Sequence, residues 1–173
     1  MQYTPAMHID EDQMFHGAAL VQIAEYKAFK AINRFENTSA RGAFRINTNT
    51  GIYLKHASKP TVSHREYLFT FNKKNLAELE ALKVQCSKLF VGMVCVKARH
   101  ICCISIKEFE KHIKRRLKNL GRSEDQYQIL VTVPHDKSFR VYVNAARKKR
   151  LSLKQQIVSR NRFPAVLFED NSI

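Results

Sequence analysis

Apolar positions from residue 11 to residue 34, namely Phe15, Leu20, Ile23, Tyr26, Phe29 and Ile32, recur at largely helical spacing with Gln22, Lys27 and Lys30 between them. This pattern predicts a long first helix. GAFRIN (42–47) and GIYLKHAS (51–58) then alternate apolar and polar side chains across an Asn/Thr-rich link, the signature of a hairpin. After the polar loop KPTVSHRE, YLFTF (67–71) reads as a third short strand. A second helix follows, with positions 76, 79, 82 and 86 on one face and Asn72 as its N-cap. KLFVGMVCV (88–96) is a nearly continuous apolar run of strand length, as expected of a central strand buried on both faces, and ICCISI (101–106) pairs back on it.

Ser105 to Glu108 spells a capping box that opens a third helix reaching Leu120. QYQILVTVP and SFRVYVN form another hairpin, the basic segment 147–158 includes helix, and FPAVLF (163–168) is a last strand. The order αβββαββαββ describes an α+β fold with a three-layer-like core, a mixed sheet flanked by helices. At 173 residues the chain supports one core and therefore one domain over 1–173, with 126–173 a basic C-terminal extension of a core spanning 13–120. The weakest point is GRSED at 121–125.

Charge changes the picture more than composition does. Thirty Lys and Arg against fifteen Asp and Glu give a formal charge of +15, which calls for a polyanionic partner. Three stretches, 37–65, 111–122 and 137–168, contain no carboxylate at all. Solvated faces normally mix signs, so these tracts are expected to gather on one face and contact phosphates through Lys59, Arg65, Arg115, Arg116, Arg140, Arg147, Lys148, Lys149, Arg150, Arg160 and Arg162. DNA is the expected partner and RNA the alternative. The signatures of an RRM and of a KH domain are both missing. No apolar run reaches spanning length and the first residues lack the pattern of a signal peptide, so a cytoplasmic location without membrane contact is expected.

Cys86, Cys95, Cys102 and Cys103 offer no zinc-knuckle spacing and read as small buried hydrophobes. The seven His are scattered without ligand-type spacing, so no metal ligands are assigned and no His is given chemistry. P-loop, dinucleotide-binding, zincin and nucleophile-elbow motifs are all lacking, which removes those reaction classes.

The order helix, three strands, helix, strand, with a Lys on the second strand of a hairpin, resembles the core of the PD-(D/E)XK nuclease-like superfamily from Gln13 to Val96. Lys55 in I-Y-L-K stands at the place of the motif's Lys, with Tyr53 where the second acid belongs and Asn47 or Asn49 where the first belongs. The resemblance implies a metal-dependent phosphodiester site, with Mg²⁺ if it is active, centred on Glu25 from the first helix, Asn47 and Lys55. Asp10, Glu11 or Asp12 folding over it would add a carboxylate. Two neutral side chains in place of acids weaken cation binding. The expectation is therefore a nucleic-acid-binding protein with a nuclease-like core, either a metal-dependent endonuclease with a variant site or a binder whose site is degraded. The alternative is a non-enzymatic RNA-binding or protein-interaction adaptor.

Overall fold

The computed structural model describes residues 8–148 and 151–170. Helix α1 (Glu11–Ala24) is followed by strands β1 (Ile32–Arg34), β2 (Ala43–Ile46), β3 (Thr50–Ala57) and β4 (Glu66–Asn72), then helix α2 (Lys73–Lys83). Next come β5 (Lys88–Cys95), β6 (His100–Ser105), helix α3 (Ile106–Leu120), β7 (Gln126–Thr132), β8 (Phe139–Tyr142) and β9 (Gln156–Val158), with a 3-10 turn at Ala165–Phe168. The α+β order read from the sequence is present, with β1 and β9 as additional short strands. Among the described residues, no helix is long and apolar enough to cross a membrane.

The strands form two sheets. One has the order β1-β2-β3-β5-β6 and the other β4-β7-β8-β9. Within the first, β1, β2 and β3 are antiparallel neighbours, β5 runs parallel to β3 from Thr50↔Lys88 to Ala57↔Cys95, and β6 returns antiparallel. Both faces of this sheet are covered, which explains the unbroken apolar run of β5. One face packs Ile52, Leu54, Phe90 and Val94 against Ala19 and Ile23 of α1 and against Phe163, Val166 and Leu167 near the C-terminus. The other packs Tyr53, Val91, Met93 and Ile104 against α2, α3 and the apolar side of the second sheet. The extension 126–173 thus contributes to both cores.

The helix caps lie where the sequence puts them. Asn72 and Ser105 accept from the N3 amides of α2 and α3 in reciprocal capping boxes, and Gly121 closes α3 with a left-handed φ of 83°.

Three expectations are corrected. The first helix ends at Ala24, not near residue 34, because Ile32–Arg34 pairs with β2 instead. Pairing with a waiting strand overrides apolar spacing that suits either element. The hairpin β2–β3 is therefore joined by β1 and not by YLFTF, which leaves for the second sheet as β4. Within 147–158 the described element is strand β9, which binds β8, and 163–168 holds a 3-10 turn instead of a strand.

Ion pairs join these layers. Glu108 accepts from the Ser105 backbone N–H at 2.7 Å and pairs with Arg162 at 2.9 Å, tying the start of α3 to the C-terminal segment. Burial opposes ionisation of Glu108, yet the Ser105 amide and the Arg162 guanidinium hold its carboxyl below the ordinary value of 4.5. Arg162→Met is expected to destabilise the fold by about 2 kcal/mol in urea melts. A carboxyl depressed on folding contributes stability above pH 4.5 and loses it as pH falls through its lowered value. The variant should therefore show a shallower loss of stability below that pH.

Candidate active site

Strand β2 ends its pairing at Ala43↔Tyr53, while β3 continues beside β5 to Ala57. After a last bond from the Leu54 amide to the Gly42 carbonyl, the end of β3 has a free edge, and the side chains of Lys55 and His56, on opposite faces of the strand, both reach a cleft of about 390 Å³ along it. Helix α1 supplies Asp12 and His16 to this cleft, and α2 supplies Asn75 and Glu78.

Lys55 reaches across to the second sheet. Its ammonium donates to the Thr70 carbonyl at 2.5 Å and to Asn75 Oδ1 at 3.2 Å, and lies 5.1 Å above the centre of the Phe71 ring. Burial lowers its pKa, and the charges of Glu78 and Asp12 oppose that shift. Tyr53, two residues earlier, donates its hydroxyl to Glu78 Oε2 at 2.5 Å, and burial followed by this carboxylate pushes its pKa up. Glu78 therefore brings to the cleft, from α2, a carboxylate that the hairpin lacks.

The N-terminal turn of α1 is fixed over the cleft by Arg41, which pairs with Asp10 at 2.5 Å and with Asp12 at 3.5 Å. Close approach depends on Gly42. A Cβ there would sit 2.4 Å from the Leu54 carbonyl oxygen and 3.3 Å from the His16 ring. His16 is buried in α1, and its Nε2 lies 3.4 Å from His56 Nδ1 and 4.0 Å from Asp12 Oδ1. Burial, before any charge, lowers the pKa of His16.

Of the three residues expected to be catalytic, only Lys55 lies in the cleft. Glu25 is the exposed C-cap of α1, thirteen positions from Asp12 and so about 20 Å along the helix axis. Asn47 turns the β2–β3 hairpin at its far end, beyond the Ile46↔Thr50 pair and about 17 Å from Lys55 along the strand. Its work is local. Asn47 Oδ1 accepts from the amides of Lys30 and Ala31, Nδ2 donates to the Ala28 carbonyl, and the backbone holds a left-handed φ of 52°.

The cationic residues are divided as well. Arg116 pairs with Glu124 at 2.7 Å, Arg162 with Glu108, and Arg160 donates to the Lys137 and Pro134 carbonyls, so these three hold elements together. Arg115 leans on His112 at 3.5 Å, and Arg140 is half-buried with Nη1 enclosed and without an acceptor. Lys59, Arg65, Arg147 and Lys148 are exposed; Lys149 and Arg150 lie outside the described residues. The expected single cationic face is not what the register gives. Arg65 precedes β4 at the end of the second sheet where Glu66 faces Thr132, whereas Arg147 follows the Asn144↔Ser152 bridge at the opposite end. Strands of this length separate the two ends by about 20 Å.

Sequence reading did not find Glu78, His16 or His56. Asp12 and His16 stand four apart on one helical face, which is a detectable pairing. His56 and Glu78 come from other elements and carry no local signal. The four cysteines are free, and burial pushes Cys95 and Cys103 up to about 12, as small buried hydrophobes require. No protein family, curated protein or solved structure matches the chain.

Asn47→Ala removes three hydrogen bonds and leaves a β-carbon in a left-handed conformation. It should cost about 2–3 kcal/mol in urea melts. Asn47→Gly should recover only the backbone part.

Proposed function

We propose that this chain is a nucleic-acid-binding protein of nuclease-like architecture that takes a phosphodiester backbone, DNA first, into the cleft beside β3. The observation that carries this reading is the position of Lys55, held at the free end of β3 with carboxylates arriving from two helices. Leaving out β4, which joins the second sheet, three antiparallel strands, a helix and a strand parallel to the third resemble the element order of the PD-(D/E)XK nuclease-like core. Here the acids come from Asp12 and Glu78 instead of from the hairpin. Carboxylates and an ammonium along one cleft supply charge of the kind that attracts a divalent cation and offsets a departing oxygen. A cytoplasmic setting suits the free thiols.

Binding has support of its own. Helix α2 begins at the cleft, where its first amides and positive dipole end favour an anion, and exposed Lys74 lines the same wall. Lys59 extends from the end of β3, four residues beyond Lys55. These are contacts to phosphate, so affinity without strong sequence preference follows.

Fluorescence anisotropy with a labelled duplex, titrated over NaCl, tests the reading. Affinity should fall steeply with salt, and the double variant Lys59→Ala, Lys74→Ala should lower the log-log slope by about 2. Affinity indifferent to salt would overturn it. With Mg²⁺ or Mn²⁺ present, Asp12→Asn, Glu78→Gln and Lys55→Met should each suppress cutting by about a hundredfold or more, while Glu25→Ala leaves it unchanged. Duplex left intact by the unmutated protein with either ion would remove cleavage and leave binding.

A further inference from the structure

Three side chains at the α1 end of the cleft converge in a way that hydrogen bonding does not account for. Asp12 Oδ1, His16 Nε2 and His56 Nδ1 lie within 4.8 Å of one another, at 3.4 Å between the imidazoles, 3.5 Å from His56 to Asp12 and 4.0 Å from His16 to Asp12. Good hydrogen bonds close to about 2.7–3.2 Å, and every one of these separations is longer. A cation at the common centre of the three atoms would stand about 2.1 Å from each, the length of a zinc–imidazole or zinc–carboxylate bond.

We propose that Asp12, His16 and His56 form a binding site for a divalent transition metal of the zinc class, built between α1 and the free end of β3. The donor set chooses the metal. Two imidazole nitrogens and one carboxylate oxygen suit zinc and its neighbours, whereas Mg²⁺ takes oxygen ligands and keeps its waters. Three protein ligands leave at least one coordination position, and all three residues line the cleft, so that position faces the space assigned to the phosphodiester.

The surroundings are those of a supported site. His56 turns Nδ1 toward the centre, while its Nε2 faces the exposed Glu11 carboxylate at 3.7 Å, beyond hydrogen-bond reach. Phe15 packs on the same ring at 5.0 Å between centroids. Arg41 engages Asp12 through Oδ2, which leaves Oδ1 for the metal. The absent side chain of Gly42 makes the space that the His16 ring occupies. Sequence spacing supplies two of the three ligands through the i, i+4 pair on α1, and the topology supplies His56 forty residues later.

This inference deepens the reading of the cleft and is tested without nucleic acid. Isothermal titration of the metal-free full chain with ZnCl₂ should show one equivalent bound, and Co²⁺ should give visible d–d absorption of a four- or five-coordinate nitrogen/oxygen site. His56→Ala and Asp12→Asn should each weaken binding by about a hundredfold, and His135→Ala not at all. His16→Ala opens a buried position, so circular dichroism accompanies it, and partly exposed His56 carries the decision if it unfolds. Zinc uptake that survives His56→Ala, no uptake, or a cobalt–thiolate charge-transfer band from the cysteines would each overturn the proposal. Salt-sensitive DNA binding without metal uptake removes this site and keeps the cleft's reading; metal uptake without DNA binding does the reverse.

Discussion

The architecture depends on β3 having two different neighbours. On one side it closes an antiparallel meander with β2, on the other it pairs in parallel with β5, and the two pairings are unequal in length. Residues 50–53 are bonded on both edges. Beyond Leu54, whose amide still donates to the Gly42 carbonyl, only β5 remains, and the end of the strand becomes a shelf with one open side. That shelf carries Lys55 and His56. Because β3 is buried on both faces, the layers above and below must meet around its open side, and α1 and α2 bring their polar ends to the same place. The cleft is the seam where the layers fail to close.

Electrostatics in this chain divides into structural and available charge. The carboxylates are few, and six of the fifteen pair with Lys or Arg of another element: Asp10 and Asp12 with Arg41, Glu108 with Arg162, Glu110 with Lys83, Glu124 with Arg116, and Asp125 with Lys73. Pairs such as Arg116–Glu124, about three-quarters buried, also satisfy carbonyl groups, as in the bond from Arg116 to the Asn144 carbonyl. Such charge-assisted bonds join elements distant in sequence. The excess cations left over are the exposed ones, Arg65, Arg147 and Lys148 among them, whereas Arg116 and Arg162 are matched by carboxylates.

Periodicity and capping chemistry made most of the fold legible. Asn72 and Ser105 cap their helices, the run 88–96 is the doubly buried strand, and the hairpin through residue 47 has the expected partners. What stayed hidden was everything decided by tertiary pairing: the conversion of Ile32–Arg34 into an edge strand, the departure of β4 to another sheet, and the strand at Gln156–Val158. The site followed the same division. Lys55 was visible because a hairpin Lys has a local pattern. Glu78, His16 and His56 were not, because their meeting is a property of how layers stack. Arg116, Arg160 and Arg162 misled the reading of the cationic tracts because their carboxylate and carbonyl partners lie 8 to 54 residues away.

The segment carrying Phe163, Val166 and Leu167 has a further meaning for how the protein comes into being. These residues complete the α1-side cover of the five-stranded sheet, and Phe168 stacks on Tyr26 with ring centres 4.7 Å apart. During synthesis the nascent polypeptide displays Leu54, Phe90 and Val94 without that cover until residue 167 has left the ribosome. A polypeptide cut short before Phe163 consequently presents a greasy sheet surface of the kind that holdase chaperones capture.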